Sequence, residues 1–158
     1  MENFTVFITH IYFSIIIMLW GNSVMKHYEV VGAIIEYDGK ILCMQRPVGK
    51  FDYTSLKYEF PGGKVEAGET NSEALMRELR EEMEYVIDIK ESDYFDSVTH
   101  LYPDFEITMH CYLCHPTTDS FVRKEHVDHV WLVPSEMMTL DWAAADLPIV
   151  EKIVEEYK

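Results

Sequence analysis

Cysteine and positive charge are both scarce in this chain, and each scarcity excludes something. Of 158 residues only three are cysteines, Cys43, Cys111 and Cys114, too few for a disulfide framework and suited to a reducing compartment, so a cytoplasmic location is expected. Cys111-x-x-Cys114, flanked by His110 and His115, has the spacing of a zinc half-site. No second pair exists, however, and the run "ITMHCYLCH" reads as a strand that would point the two thiols to opposite faces. Structural cysteines are therefore expected. Lys and Arg number 13 against 28 Asp and Glu, a formal charge of −15. Such a chain does not grip a nucleic-acid polymer or an anionic membrane unaided. If it handles phosphates, divalent cations must mediate the contact. Repeats, low-complexity linkers and any Ser-His-Asp or Cys-His arrangement for covalent catalysis are also missing. A hydrophobic share of 48% and an aromatic share of 13% set the chain apart from disordered sequences and supply one domain with a core.

The N-terminal stretch "FTVFITHIYFSIIIMLW" is apolar but interrupted by Thr5, Thr9, His10 and Ser14, and falls just short of the roughly 20 residues of a membrane-spanning helix. It lacks the basic flank of a signal peptide. A membrane anchor, a helix docked on a partner and upstream sequence included by a misplaced start are the open readings. The last is favoured, because Met25 begins "MKHYEVVGAII", an ordinary opening for a soluble domain. Residues 1–24 are accordingly set apart as an apolar extension, with a functional domain over 25–158.

Within that domain, two apolar runs in "HYEVVGAIIEYDGKILCMQRP" are joined by Asp38-Gly39, a hairpin signal. A short strand is expected at Tyr58 to Phe60, then a loop at Pro61-Gly62-Gly63. Thr70-x-x-Glu73 forms a capping box ahead of a helix whose core stripe is Leu75, Leu79 and Met83. Strands are expected over Val86 to His100, Phe105 to Cys114 and His129 to Val133, and helices after Pro134 and over Asp146 to Lys158. This order of elements describes a single α+β domain.

The helix carries the chemistry. Glu78, Glu81 and Glu82 follow one another at i, i+3 and i+4 and so project from the face opposite the core stripe. Like charges so placed repel, and a hard divalent cation with an appetite for oxygen ligands offsets the repulsion. A solvated acidic face with Arg77 and Arg80 as neighbours is the alternative. The longer pattern narrows the choice. Gly63, five residues, Glu69, seven residues and Arg77-Glu78-Leu79-Arg80-Glu81-Glu82 resembles the Nudix box, G-x5-E-x7-R-E-U-x-E-E-x-G-U, at every charged position. The departures come at the end, where Glu84 and Tyr85 stand in place of glycine and an aliphatic residue. If the left-handed turn that suits glycine is kept, Glu84 costs about 1 kcal/mol.

The resemblance implies a Nudix-type α/β/α sandwich with a mixed sheet between helices, and hydrolysis of a nucleoside diphosphate linked to another group with Mg²⁺ or Mn²⁺. Glu78, Glu81 and Glu82 would be metal ligands, with the carbonyl of Gly62. Glu69 and Arg77 would pair to brace loop against helix, and Glu82 or Glu81 would be the base. The likeness extends over about residues 28–158 and leans to the MutT-like branch, through "YEFPGGKVE", "CMQR" and "LDWAAADLPIVEKI". It implies a nucleotide contact for Arg46, an additional metal ligand in Glu125 and a base contact for Asp146, which also sits where a helix N-cap would. Phe60 and Trp142 are stacking surfaces or core. The histidines His126 and His129, near Glu125, lie within reach of a phosphate or simply on the surface.

The expected activity is Mg²⁺-dependent conversion of a nucleoside triphosphate, such as 8-oxo-dGTP, CTP or 5-methyl-dCTP, to the monophosphate and pyrophosphate, in nucleotide-pool sanitation. The expected partner is that nucleotide, with no nucleic-acid polymer and no membrane, and the protein is expected as monomer or homodimer. ADP-ribose, dinucleotide cofactors and dinucleoside polyphosphates are alternative substrates. A nucleotide sensor without turnover is the alternative of another class.

Overall fold

The structure is a computed structural model that describes residues 25–158; the apolar extension over 1–24 lies outside the described residues. Strand β1 (Lys26–Tyr37) turns into β2 (Lys40–Gln45) through Asp38 and Gly39, both at positive φ (50° and 71°), the tight hairpin that an Asp-Gly pair favours. The rest of the sheet gathers around these two. Strand β6 (Phe105–Cys114) runs parallel to β1 along ten paired positions, and β5 (Tyr94–Leu101) adds antiparallel to β6. The short strands β3 (Tyr58–Glu59) and β4 (Gly62–Lys64) pair with β2 and β1, and β7 (Asp128–Leu132) pairs with β2. The sheet is thus mixed, as expected for a sandwich.

Helix α1 (Asn71–Met83) covers one face of the sheet. It packs Ala74, Leu75, Leu79 and Met83 onto Val31, Ala33, Ile35, Leu42 and Tyr112. Helix α2 (Leu147–Glu156) covers the other, with Ile149, Val150 and Ile153 against Ile34, Ile41, Cys43, Met109 and Cys111. Two apolar clusters on opposite faces of one sheet make the α/β/α sandwich. Cys111 and Cys114 belong to different clusters and are free and buried. Burial lifts both thiols well above their ordinary range. No helix among the described residues is long and apolar enough to cross a membrane.

One expected strand is displaced. Tyr85, Ile87 and Ile89 are buried while Val86, Asp88 and Lys90 are exposed, which is the alternation that reads as a strand. The segment nevertheless has no ladder partner among the described residues and packs its apolar side into the cluster beneath α1; the strand proper begins at Tyr94. Alternation marks an extended chain lying on a core, and that condition does not require a neighbouring strand. The helix expected after Pro134 is a 3₁₀ turn over Pro134–Thr139.

Candidate active site

The chain enters α1 under tight local control. Thr70 accepts from the Glu73 N–H at 3.2 Å and Glu73 accepts from the Thr70 N–H at 2.8 Å, a reciprocal capping box that fixes where the helix starts. One turn later Arg77 ties this helix to the loop before it. Its Nε and Nη2 donate to the two carboxylate oxygens of Glu69 at 2.6 and 3.0 Å, and Nη2 also donates to the Lys64 carbonyl at 3.0 Å. This planar fork matches a carboxylate as a lysine could not. The third nitrogen, Nη1, donates to Glu78 at 2.8 Å.

Glu78 lies directly over the Gly62-Gly63 strand. A Cβ on Gly63 would come within 2.4 Å of the Glu78 carboxyl carbon, and one on Gly62 would sit 1.9 Å from the Val31 carbonyl oxygen. Both glycines are required by close approach, one to a carboxylate and one to the adjacent strand. Glu81 is largely exposed, with one carboxylate oxygen 3.4 Å from Arg77 Nη1. Glu82 faces inward, half-buried, and is hydrogen-bonded to Glu125 from the loop between β6 and β7, with Glu78 and Glu59 also near. Burial, followed by these negative neighbours, pushes the Glu82 carboxyl up to about 8.

Glu59, at the end of β3, connects this carboxylate group to a second cluster. It accepts from Arg46 Nη1 at 2.5 Å, and its other oxygen lies 2.9 Å from His126 Nε2. Arg46 in turn neighbours Asp146 and Tyr102. Asp146 occupies the N-cap position of α2 but makes no capping bond with its side chain. Oδ1 instead accepts from the Phe60 N–H at 2.9 Å, so the N-cap reading of its side chain does not hold. Wholly buried, with Glu59 nearby, this carboxyl is raised well above its ordinary range, a shift toward its protonated form that the Phe60 N–H and Arg46 oppose. Phe60 is itself buried, its ring 5.1 Å from that of Trp142. Trp142 donates its indole N–H to the Met137 carbonyl at 2.7 Å, an anchorage that belongs to core packing.

All of this opens on one cavity of about 740 Å³, within the range that holds small-molecule ligands. Glu82, Glu125, Gly62 and Gly63 line it, as do Arg46, Glu59, Phe60 and Asp146. Of the residues singled out in the sequence, Glu78 and Glu81 are on the adjoining helix face, and Glu69 and Arg77 brace that helix from behind. Lysines 26, 50 and 64 also reach the cavity, a local concentration of positive charge in an acidic chain. Glu59 and Tyr102 are members that the sequence did not single out, and His126, read there as near a phosphate or on the surface, lines the cavity with its side chain buried against Glu59. The one signal for Glu59 was its place beside Phe60 in "YEFPGG", which says nothing of the Arg46 and His126 that it joins.

Among the described residues, no three His, Cys, Asp or Glu side chains are already gathered closely enough to hold an ion. The reason is visible: Glu78 is turned to Arg77 and Glu81 to solvent. The donor set still suits a hard cation, because it is all oxygen, and because Glu78, Glu82, Glu125 and Glu59 can all be ionised at close quarters only with positive charge among them.

A family model for the NUDIX domain matches residues 25–153. The chain is 40% identical over 138 residues to the CTP pyrophosphohydrolase of Escherichia coli (strain K12), a match that takes in 80% of this chain and 91% of that one. It is 28% identical over 129 residues to the 8-oxo-dGTP diphosphatase of the same organism, 82% of this chain and 98% of the other. Among solved structures, the family Nudix hydrolase MutT from methicillin-resistant Staphylococcus aureus 252 superposes with a TM-score of 0.65 at 38% identity, covering 84% of this chain and 99% of that one. The braced helix, its carboxylate face and the cavity beside it therefore belong to a chain that is a member of the Nudix family, among its MutT-like representatives.

Proposed function

We propose that this protein is a divalent-metal-dependent pyrophosphohydrolase of nucleoside triphosphates, releasing the monophosphate and pyrophosphate. The observation that carries the reading is the meeting, in one cavity, of the carboxylates Glu82 and Glu125 with Arg46 and the buried Asp146. One group is built for cations and phosphate, the other for a base edge, and Glu59 spans the two. The named activities of the E. coli relatives, on CTP and on 8-oxo-dGTP, agree with it.

Glu78, Glu81, Glu82 and Glu125, with the Gly62 carbonyl, would hold Mg²⁺ or Mn²⁺. When bound, such ions neutralise a polyphosphate and lower the pKa of a coordinated water. Glu82 is suited to accept a proton from the attacking water, since it is the helix carboxylate that lines the cavity and a bound cation favours its ionised form. Arg77 and Glu69 keep the helix at a fixed height above the Gly62-Gly63 strand. Lys26, Lys50, Lys64 and Arg46 draw the anionic substrate into a chain whose overall charge would repel it.

Asp146 adds a contact for the base. Its Oδ1 is committed to the Phe60 N–H, and burial shifts it toward the protonated acid, the form that both donates and accepts. A base edge that sets a donor beside an acceptor complements it. Cytosine offers N4–H beside N3, and an 8-oxopurine offers N7–H beside O6. Both expected substrate classes satisfy this geometry, as do adenine (N6–H beside N1) and guanine (N1–H beside O6), so the contact holds a base without by itself choosing one.

The test is a panel of natural and oxidised nucleoside triphosphates with Mg²⁺, scored for pyrophosphate against phosphate, alongside Glu82→Gln. Pyrophosphate release from a cytidine or 8-oxopurine nucleotide, lost in the variant, is the expected result. Turnover confined to ADP-ribose or dinucleotides would overturn the substrate class, and absence of all turnover would favour a sensor.

A further inference from the structure

The two residues that depart from the Nudix pattern, Glu84 and Tyr85, are the ones that hold the Glu125 loop. Glu84 keeps the left-handed conformation at the end of α1, with φ 50° and ψ 27°, although glycine would adopt it more easily. In that position its carboxylate meets Lys124 Nζ at 3.0 Å. The same ammonium donates to the Glu81 carbonyl at 3.1 Å, and the Val122 N–H donates to the Met83 carbonyl at 2.8 Å. Two carbonyls at the open end of the helix are thereby satisfied from the loop. Tyr85 is buried, its ring stacked on Phe121 at 5.7 Å, and its hydroxyl donates to the Thr118 carbonyl. On the far side of Glu125, His126 is held by Glu59, and the Val127 N–H donates to the Gln45 carbonyl at 3.0 Å. Glu125 thus sits between two anchors, and only the first is built from the departures.

We propose that Tyr85 and Glu84 are positioning residues that, through Phe121, Thr118 and Lys124, seat Glu125 beside Glu82 and so set the protein's affinity for divalent metal. The inference rests on the metal-dependent reading above. An aliphatic residue at position 85 stays apolar in the core but reaches neither the Thr118 carbonyl nor the Phe121 ring in this way. The loop then loses the aromatic stack and the Thr118 bond but keeps the Val122 and Lys124 contacts to the helix end and its anchor on β2 and β3. Glu125 samples positions away from Glu82 more often. Partners that orient metal ligands from behind typically change metal affinity by roughly 10-fold or more.

The experiment is Mn²⁺ binding to the substrate-free protein, followed by the electron paramagnetic resonance of free Mn²⁺, with thermal melts to check folding. Tyr85→Ile and Lys124→Ala are compared with Glu125→Gln, each double variant and Glu82→Gln. The expected result for Tyr85→Ile is about a 10-fold weaker affinity, with no further loss when it is combined with Glu125→Gln. Lys124→Ala loses roughly 3-fold in the same non-additive manner. Should Tyr85→Ile fail to fold, Tyr85→Phe, which keeps the ring and loses the hydroxyl, is expected to show a smaller non-additive loss. Wild-type affinity in these variants overturns the proposal, as does the same fold-loss in the Glu125→Gln background, since a merely structural role would act there as well. Wild-type Mn²⁺ binding by Glu82→Gln would instead overturn the metal-site reading on which the proposal stands.

Discussion

The carboxylate half of the cavity and the half around Arg46, Phe60, Tyr102 and Asp146 are built in different ways. Residues 63–82 supply most of the first from one continuous piece of chain: a glycine strand, a capped helix start, a Glu69–Arg77 brace and three glutamates at helical spacing. The second draws Arg46 from the end of β2, Phe60 from the corner after β3, Tyr102 from the turn after β5 and Asp146 from the start of α2. A local construction is stiff and carries chemistry common to a family. A construction from four distant segments can change one wall at a time, which suits the choice of base. Substitutions in the two halves should therefore fail differently, one in turnover and the other in substrate choice.

The largest expected effect is in the first half. Glu82→Gln keeps the shape and removes the proton acceptor, so kcat should fall about 10³-fold, within the range for loss of a positioned base, with a much smaller change in KM. Steady-state kinetics at saturating Mg²⁺ would check this, and a loss confined to KM would erase the distinction between the halves. The second half answers to Asp146. Asp146→Ala removes both donor and acceptor from a buried site and should lower kcat/KM for the preferred nucleotide by roughly 10²-fold or more while narrowing its lead over other bases. Asp146→Asn, which retains a donor and an acceptor, should lose far less. A uniform loss over all bases would show that the residue serves the fold rather than recognition.

The two halves also differ in how much of them could be read in advance. The helix register, the capping box, the glutamate face and the Asp38-Gly39 hairpin follow from spacing and turn chemistry within a few residues, and the structure has each where the spacing puts it. Glu59 was out of reach because its importance depends on Arg46 and His126, 13 and 67 residues away, meeting on either side of it. Asp146 was visible as a residue, but the upward shift of its carboxyl was not, since that follows from complete burial, which no local pattern records. The segment from Tyr85 to Ile89 failed for the converse reason. Its alternation was legible, but the surface it lies on belongs to α1 rather than to a neighbouring strand.

A pH experiment of intermediate size sharpens the contrast, because Glu82 is destabilised by its own surroundings. A carboxyl whose folded pKa lies near 8, above its ordinary 4.5, binds its proton more tightly in the folded state. Its contribution to stability is full below about pH 4.5 and is lost as pH rises through 8. In EDTA, wild type and Glu82→Gln should therefore melt alike near pH 4.5, with the variant gaining an advantage that widens toward pH 8.5. Mg²⁺ should reverse that advantage, since cation binding favours the ionised wild-type site. A constant difference across pH would mean that the crowding of carboxylates around Glu82 carries no energetic cost.

The smallest effect is expected where local propensity and distant contact oppose each other. Glu84→Gly restores the residue that the left-handed end of α1 prefers, a gain of up to about 1 kcal/mol. It also removes the ion pair to Lys124, which is exposed and worth about 0–1 kcal/mol. The metal-free melting temperature should thus stay the same or rise slightly, whereas Mn²⁺ affinity should fall a few-fold because the Glu125 loop has lost one of its fastenings. Stability and metal affinity moving in opposite directions would show that this helix end has given up local comfort for a contact with the loop. If both rose together, glycine would be the better residue on every count, and the departure at position 84 would have no explanation in the site.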